Sequence, residues 1–209
     1  MPTTLPGPDR LRLGFTKAVE ESFDFLRRDF GYRMVEARPT FVRFESSDAF
    51  VNVFHGRSSY ELGVEIGRWL EIDDETVEQK FSLGEVIALD HDPSRVGYRP
   101  FATTEREPLG RFVRQLGDWT RRFATQLLEG DRRAFDRLSY LRASNFQASQ
   151  EGRRAAKLRV AATEAWRRKD WGRVVDAYEE IVSELRTVKL EPSELGRLRY
   201  AQRKLESGR

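Results

Sequence analysis

Four segments in the first third of the chain alternate apolar and polar residues with a period of two. They span residues 32–37, 40–45, 49–54 and 59–69, and this periodicity is typical of strands with one face on a core and the other in water. The separators ARP, SSD and HGRS contain turn-forming residues. The pattern therefore predicts four antiparallel strands connected as a meander.

Apolar residues at helical spacing lie on both sides of these strands. Asp9 is placed to cap a first helix, which Gly31 would end. Thr104, with a glutamate at the capping-box position, begins a long amphipathic pattern that stops at Gly130, and Asp131 starts a shorter helix. The predicted fold class is α+β: a four-stranded antiparallel meander sheet packed by an N-terminal helix and a long helix, followed by an all-helical C-terminal appendage.

The last part of the chain has only helical patterns. Apolar residues at helical spacing occur in residues 153–169, 171–188 and 193–206, which predicts an antiparallel hairpin with a third packing helix. The polar run ASNFQASQEG precedes them and is typical of a linker. The predicted organisation is a flexible leader, an α+β domain, a linker and a three-helix appendage, at residues 1–8, 9–142, 143–152 and 153–209.

Two resemblances to known proteins are visible in these segments. AATEAWRRKDWGRVVDAYEEIVSEL resembles a tetratricopeptide-type helical pair over about 50 residues of chain, with small residues on the first helix and aromatic residues on the second. FGYRMVEARPTFVRFES, SYELGVEIGR and LLEGDRRAFDRL resemble uncharacterised bacterial α+β proteins, some of them similar to immunity-type proteins encoded beside toxins. The resemblances imply a bacterial protein with a protein partner, in an immunity or adaptor role.

Composition excludes several kinds of protein. The chain of 209 residues has no cysteine, so disulfides, thiolate metal sites and cysteine nucleophiles are absent. No apolar run of 18 residues occurs, and the first residues lack the order of a signal peptide. We expect a cytoplasmic protein without membrane contact, and the sequence does not indicate an oligomeric state.

Charge is unevenly distributed along the chain. Residues 1–100 carry 13 basic and 18 acidic groups, whereas residues 101–209 carry 24 and 16. Arginines interleaved with Trp166 and Trp171 in the basic half make nucleic-acid binding the second hypothesis, after a protein partner.

The most conspicuous cluster for chemistry is His55-Gly56-Arg57-Ser58, between the third and fourth predicted strands. A nucleophilic serine would need an orienting group and an oxyanion site, which the sequence does not indicate. We interpret the cluster as a turn whose His55 and Arg57 could contact a partner.

Charged residues on the polar face of the predicted sheet are a second candidate. Glu61 and Glu65 share one strand face, and Arg43 and Glu45 lie on a nearby strand. Paired carboxylates could catalyse acid–base chemistry, which makes a hydrolase a distant third hypothesis. Alternating charge on a solvated face is the commoner arrangement, and whether this face binds a small ligand stays open.

The acidic runs EIDDE and DHD, at residues 71–75 and 90–92, lack the spacing of a metal site. Asp73, Asp74 and Glu75 are expected to cap a helix that begins near Thr76. Since no phosphate-binding glycine loop is present either, we expect no metal and no cofactor. The sequence therefore favours a non-enzymatic interaction module, with partner contacts drawn from His55, Arg57, Arg43, Glu61, Glu65, Arg167, Arg168, Trp171 and Arg173.

Overall fold

The structure is a computed structural model that describes residues 7–207, with side chains from Arg10 onward. The predicted leader and the capping side chain of Asp9 lie almost wholly outside the described residues. The chain divides into two compact units, one up to Tyr140 and one from Leu141. We call them unit 1 and unit 2.

Unit 1 contains an open antiparallel sheet, which confirms the α+β class. The strand order is β1-β2-β3-β4-β5, and the short strand β6 pairs with the other end of β4. The sheet thus has two strands more than the four predicted. The strand bounds are β1 Arg33–Arg38, β2 Phe41–Glu45, β3 Phe50–His55, β4 Glu61–Ile72, β5 Glu75–Ser82 and β6 Phe101–Ala102.

The fifth strand corrects the prediction of a helix near Thr76. Asp73 and Asp74 both adopt positive φ angles, 51° and 63°, as the central residues of a type I′ hairpin turn do. They reverse the chain so that Ile72 pairs with Glu75. Aspartate tolerates this backbone region better than most residues, so the acidic pair forms a strand turn and not a helix cap.

The single N-terminal helix that the sequence predicted is divided into three. These helices are α1 Gly7–Arg12, α2 Phe15–Ser22 and α3 Asp24–Phe30. Gly14 has a φ of 68° between the first two, and Phe23 leaves helical geometry between the last two. Gly31 ends α3 with a φ of 72°, as expected.

The long helix predicted from Thr104 to Gly130 is also interrupted. It forms α5 Arg106–Phe123 and α6 Thr125–Leu128, with Glu105 and not Thr104 at the first cap position. An additional helix, α4 Leu83–Ala88, begins with a capping box in which Ser82 and Glu85 bond reciprocally.

One face of the sheet and the helices enclose the core of unit 1. Apolar side chains of β2, β3 and β4, such as Val42, Val51 and Ile66, are fully buried there. They pack with residues of α2, α4, α5 and α6 and with the first turns of α7, including Phe135. Burial of each such side chain stabilises the fold by about 1.5–3 kcal/mol.

Residues 143–152, which the sequence predicted as a linker, are helical. They lie within α7 Arg132–Arg168, a helix of 37 residues that begins after the cap residue Asp131. Their polar residues are compatible with a solvated helix, and the segment has no proline to stop one.

Unit 2 consists of the second part of α7 with α8 Trp171–Glu184 and α9 Pro192–Ser207, as the helical patterns predicted. Small residues of α7, among them Ala162 and Ala165, pack in one cluster with the buried ring of Tyr178 on α8. Leu198 and Ala201 of α9 complete the cluster. The buried small residues of α7 and the Tyr178 ring thus belong to one apolar cluster.

Candidate functional site

The side chain of Arg10 forms hydrogen bonds with the turn between β3 and β4. The Arg10 guanidinium donates to the carbonyl oxygens of His55 at 3.3 Å and Gly56 at 3.2 Å, and to that of Arg57. It also lies over the ring of Tyr60, 4.6 Å from the centroid. A charged donor shared among several carbonyls holds the turn in one conformation.

The two candidate side chains of this turn have opposite environments. His55 is only 1% exposed, and its ring contacts Phe15 and Tyr60. Arg57 is exposed. The turn can therefore offer Arg57 to a partner, whereas His55 belongs to the support of the turn.

The bonding of His55 fixes its tautomer. Its Nε2 lies 2.9 Å from the carbonyl oxygen of Thr103, so Nε2 carries the proton and donates. Its Nδ1 is buried and has no hydrogen-bond partner within the described residues. Burial lowers the pKa of His55 and the Arg10 cation lowers it further, while the carbonyls of Thr103 and Tyr60 oppose the shift without reversing it.

The second face of the sheet carries the other predicted candidates. Arg43 donates to Glu45 at 2.6 Å and forms an ion pair with Glu78 of β5 at 2.8 Å. Desolvation alone would lower the pKa of Arg43, but the hydrogen bonds to Glu78 and Glu45 prevail and raise it. Arg43 is therefore engaged by two carboxylates and is not a free cation.

Glu61 and Glu65 do not form a carboxylate pair. Glu65 accepts from Asn52 at 3.4 Å and lies 3.1 Å from the Lys80 ammonium. Glu61 is exposed at the other end of β4, where its backbone pairs with Ala102 of β6. The contacts of Glu65 are those of a charge network on a sheet surface.

On this second face of the sheet, aromatic rings of β3 lie beside glycines of β4. Phe50 pairs with Gly67 and Phe54 with Gly63 in the β3–β4 register. A Cβ on either glycine would lie 2.3 Å from the opposing ring, so each ring occupies the space above a glycine. The Arg43 guanidinium covers Phe50 at 4.2 Å from the centroid. Phe50 is thus fully buried although it does not belong to the main core.

In unit 2 the candidates Arg167, Arg168, Trp171 and Arg173 all lie around the turn between α7 and α8. Lys169 has a φ of 57°, and Asp170 donates its N–H to the Ala165 carbonyl at 2.9 Å, which closes α7 in a Schellman motif. The Asp170 side chain then accepts from the N–H of Arg173 and caps α8. The three arginines are exposed at this end of unit 2.

Trp171 is part of a packed aromatic group. Its ring lies 5.2 Å from that of Trp166 and 5.5 Å from that of Tyr200 on α9, measured between centroids. The Arg197 guanidinium stands over Trp166 at 5.8 Å. Since all three rings contact one another, they hold α9 against the α7–α8 hairpin. A ligand that stacks on Trp171 would have to displace these contacts.

A groove runs along α7 and α8 beside this turn. We call it the α7–α8 groove; it has a volume of about 280 Å³. Its apolar lining consists of Leu158, Ala161, Ala165 and Ala177. Its charged lining consists of Glu164, Arg168, Asp170, Arg173, Asp176 and Glu180.

Sequence reasoning missed several of these residues. Arg10 carried no signal, because a lone arginine near a chain end is ordinarily solvated. Asn52 is 3% exposed at the centre of the sheet, where the alternation pattern placed an ordinary polar position. The alanines of the α7–α8 groove were visible as helical spacing but not as a concave surface.

Among the side chains of residues 10–207, no three His, Asp or Glu are grouped so that they could hold a metal ion. Within the same residues, no helix combines the length and the apolar character needed to cross a bilayer.

Comparison with known proteins gives no match. No model of a known protein family, no curated protein and no solved structure is similar to this chain.

Proposed function

We propose that this protein is a non-enzymatic interaction module that binds a segment of a partner protein in the α7–α8 groove. The observation that carries the proposal is the lining of the groove. Alanines in its lining let an incoming chain approach the helices closely, and charged side chains of both signs in the same lining can fix the orientation of that chain.

The charge of the groove favours a protein partner over a nucleic acid. Arg168 and Arg173 lie near the helical turn, but Glu164 and Asp176 line the same groove. Glu180 is also held by Arg154, 2.5 Å away. A phosphate backbone would be repelled by these carboxylates, whereas a polypeptide can present both charges.

An immunity or adaptor role is the form of this function that we propose. It rests on the resemblance of the sheet segments to immunity-type bacterial proteins and on the tetratricopeptide-like helical pair. A cytoplasmic location belongs to the same proposal.

The proposal is tested by filling the groove. Ala161 lines it and is exposed, so Ala161→Trp obstructs the groove without entering the core. Ala156, exposed on the same helix outside the groove, provides the matched control Ala156→Trp. A partner is first recovered from the cells that make the protein and purified, and its affinity is then measured by titration calorimetry.

We expect Ala161→Trp to weaken binding of the purified partner by about tenfold or more, and Ala156→Trp to leave it unchanged. Equal affinity of the two variants for the partner would contradict a contact in the groove.

Nucleic-acid binding is the second candidate, favoured by Arg167 and Arg168, for which the described residues provide no ion pair. Phosphate contacts would make affinity fall by orders of magnitude between roughly 50 and 200 mM salt. We expect binding no tighter than about micromolar at physiological salt. A nanomolar complex that is lost when Arg167, Arg168 and Arg173 are all changed to Ala would make this the better hypothesis.

A further inference from the structure

Strand β1 is a terminal strand of the sheet in unit 1. It pairs with β2 and with no other strand of the described residues. Near its end the Arg38 carbonyl accepts from the Thr16 hydroxyl at 3.0 Å. The outer edge of such a strand presents backbone N–H and C=O groups that another strand can pair with.

A groove lies beside the beginning of this strand. It has a volume of about 590 Å³ and is bordered by α3 on one side and by the first residues of β1 on the other. A helix next to a free strand edge is a setting in which domains add an extended peptide to their sheet. The lining residues are Asp24, Arg27, Arg28, Tyr32, Arg33 and Met34, and we call this the β1-edge groove.

The β1-edge groove has an excess of positive charge. Asp24 is paired with Arg28 at 2.8 Å, so these two charges compensate each other. Arg27 and Arg33 are exposed, and neither forms an ion pair within the described residues. Glu45, which lies opposite Arg33 in the register, is bonded to Arg43. Two uncompensated guanidinium groups beside a strand edge are complementary to carboxylates on the incoming segment.

Apolar side chains are exposed on the same strand. Met34 is 38% and Val35 is 50% exposed. The register shifts between Met34 and Glu36, which makes Val35 the extra residue of a β-bulge. Because the bulge at Val35 twists and bends the strand, we centre strand addition on the beginning of β1, next to the two arginines.

We propose that β1 and α3 form a docking site for an extended, acidic segment of another protein, which adds to the sheet at β1 with carboxylates on Arg27 and Arg33. This site is in unit 1 and is separate from the α7–α8 groove. Its recognition consists of main-chain hydrogen bonds for affinity, and of charge and the exposed Met34 and Val35 for selectivity.

A second copy of the chain is the competing occupant. The other terminal strand, β5, carries Glu75 and Glu78 and could pair with β1 of a neighbouring molecule. Such head-to-tail pairing leaves one free edge at each end, so it would propagate into open assemblies. Glu78 is already paired with Arg43 at 2.8 Å, so β5 is a poor source of carboxylates for Arg27 and Arg33, which favours an acidic segment of another protein.

The experiment selects short random peptides displayed on phage against the full-length chain. Binding of the enriched peptides is then measured for the double variant Arg27→Glu with Arg33→Glu. The matched control is Arg111→Glu with Arg114→Glu, which makes the same change of charge at exposed positions of α5. Thermal unfolding verifies that both variants are folded, and Ala161→Trp identifies peptides that bind in the α7–α8 groove.

We expect peptides that alternate acidic and apolar residues, whose affinity falls about tenfold or more in the first double variant and is kept in the second. Alternate peptide N–H groups of an added strand point to opposite edges, and only one edge pairs with β1. N-methylation of every second peptide bond should therefore abolish binding when it removes the N–H groups that face β1, and should spare binding when it removes the others. The proposal is refuted if both methylated forms bind equally, if only Ala161→Trp weakens the peptides, or if the chain alone assembles through Arg27 and Arg33.

Discussion

The buried imidazole of His55 makes the stability of unit 1 sensitive to mild acid. In the folded chain Nε2–H donates to the Thr103 carbonyl, and Nδ1 is buried with no hydrogen-bond partner among the residues that the structure describes. Burial opposes protonation, and protonation would also place a second cation beside Arg10, so the pKa of His55 is lowered from 6.5. The unfolded chain therefore binds this proton at a higher pH than the folded chain does.

The sign and size of the effect follow from proton linkage. Above pH 6.5 both states are neutral at this residue, and the full stability is present. As the pH falls below 6.5 toward the lowered pKa, the unfolded state takes up the proton first and stability is lost by up to about 1.4 kcal/mol per pH unit. Between pH 7.5 and 5.5 the loss attributable to His55 is at most about 1.4 kcal/mol.

The assay is urea unfolding of the full-length chain at intervals between pH 7.5 and 5.5, where most carboxylates stay ionised. His55→Gln keeps a donor for the Thr103 carbonyl but cannot titrate, so its unfolding free energy should be less dependent on pH than that of the parent chain. His91, the other histidine, is exposed, and His91→Gln is the matched control in the same assay. Parallel pH profiles for His55→Gln and the parent chain would refute the reasoning.

Three further expectations concern stability. Gly67→Ala should destabilise unit 1, because the new Cβ would lie 2.6 Å from the Gln79 carbonyl oxygen and also against Phe50. Gly152→Ala, at a helical position with open space around it, should instead stabilise the protein by about 0.5–1 kcal/mol. Urea unfolding measures both changes. Arg10→Ala should cost about 1.5–3 kcal/mol in the same assay through loss of its bonds to the turn, while exposed Arg57→Ala should change stability by less than about 0.5 kcal/mol. A metal chelator should leave the melting temperature unchanged, and a fall of several degrees would contradict the expectation of no metal.

The fold was predictable where the local pattern and the tertiary environment agree. Alternation located β2 to β4 because each of these strands has one face on the core, and the helical spacing of α8 and α9 reflects burial on one side. Alternation also located β1, although that strand is largely exposed. The hairpin at Asp73 and Asp74 was not recognised, because an acidic run before a threonine is equally suited to a helix cap, and β5 is mostly exposed and lacks a clear alternation. The helix cap and the hairpin turn differ in their backbone angles, which the residue types alone do not determine.

The candidate sites were predictable only in part. The sequence placed Arg167, Arg168, Trp171 and Arg173 near one turn, and this proximity is local along the chain. The sequence could not show that His55 is buried, because Arg10 and Thr103, which surround it in the fold, are distant from it along the chain. The β1-edge groove likewise depends on the angle between α3 and β1, which follows from the packing of the whole unit.

The opposition of Phe50 to Gly67 and of Phe54 to Gly63 also determines how β3 and β4 can be aligned during folding. A slip of two residues would bring Phe50 against Glu65 or Trp69, where no glycine leaves room for the ring. Because both aromatic–glycine pairs belong to one register, a slip of two residues disrupts them together. β4 also pairs with β5 and β6, so the two rings select the alignment on which the rest of the sheet is assembled.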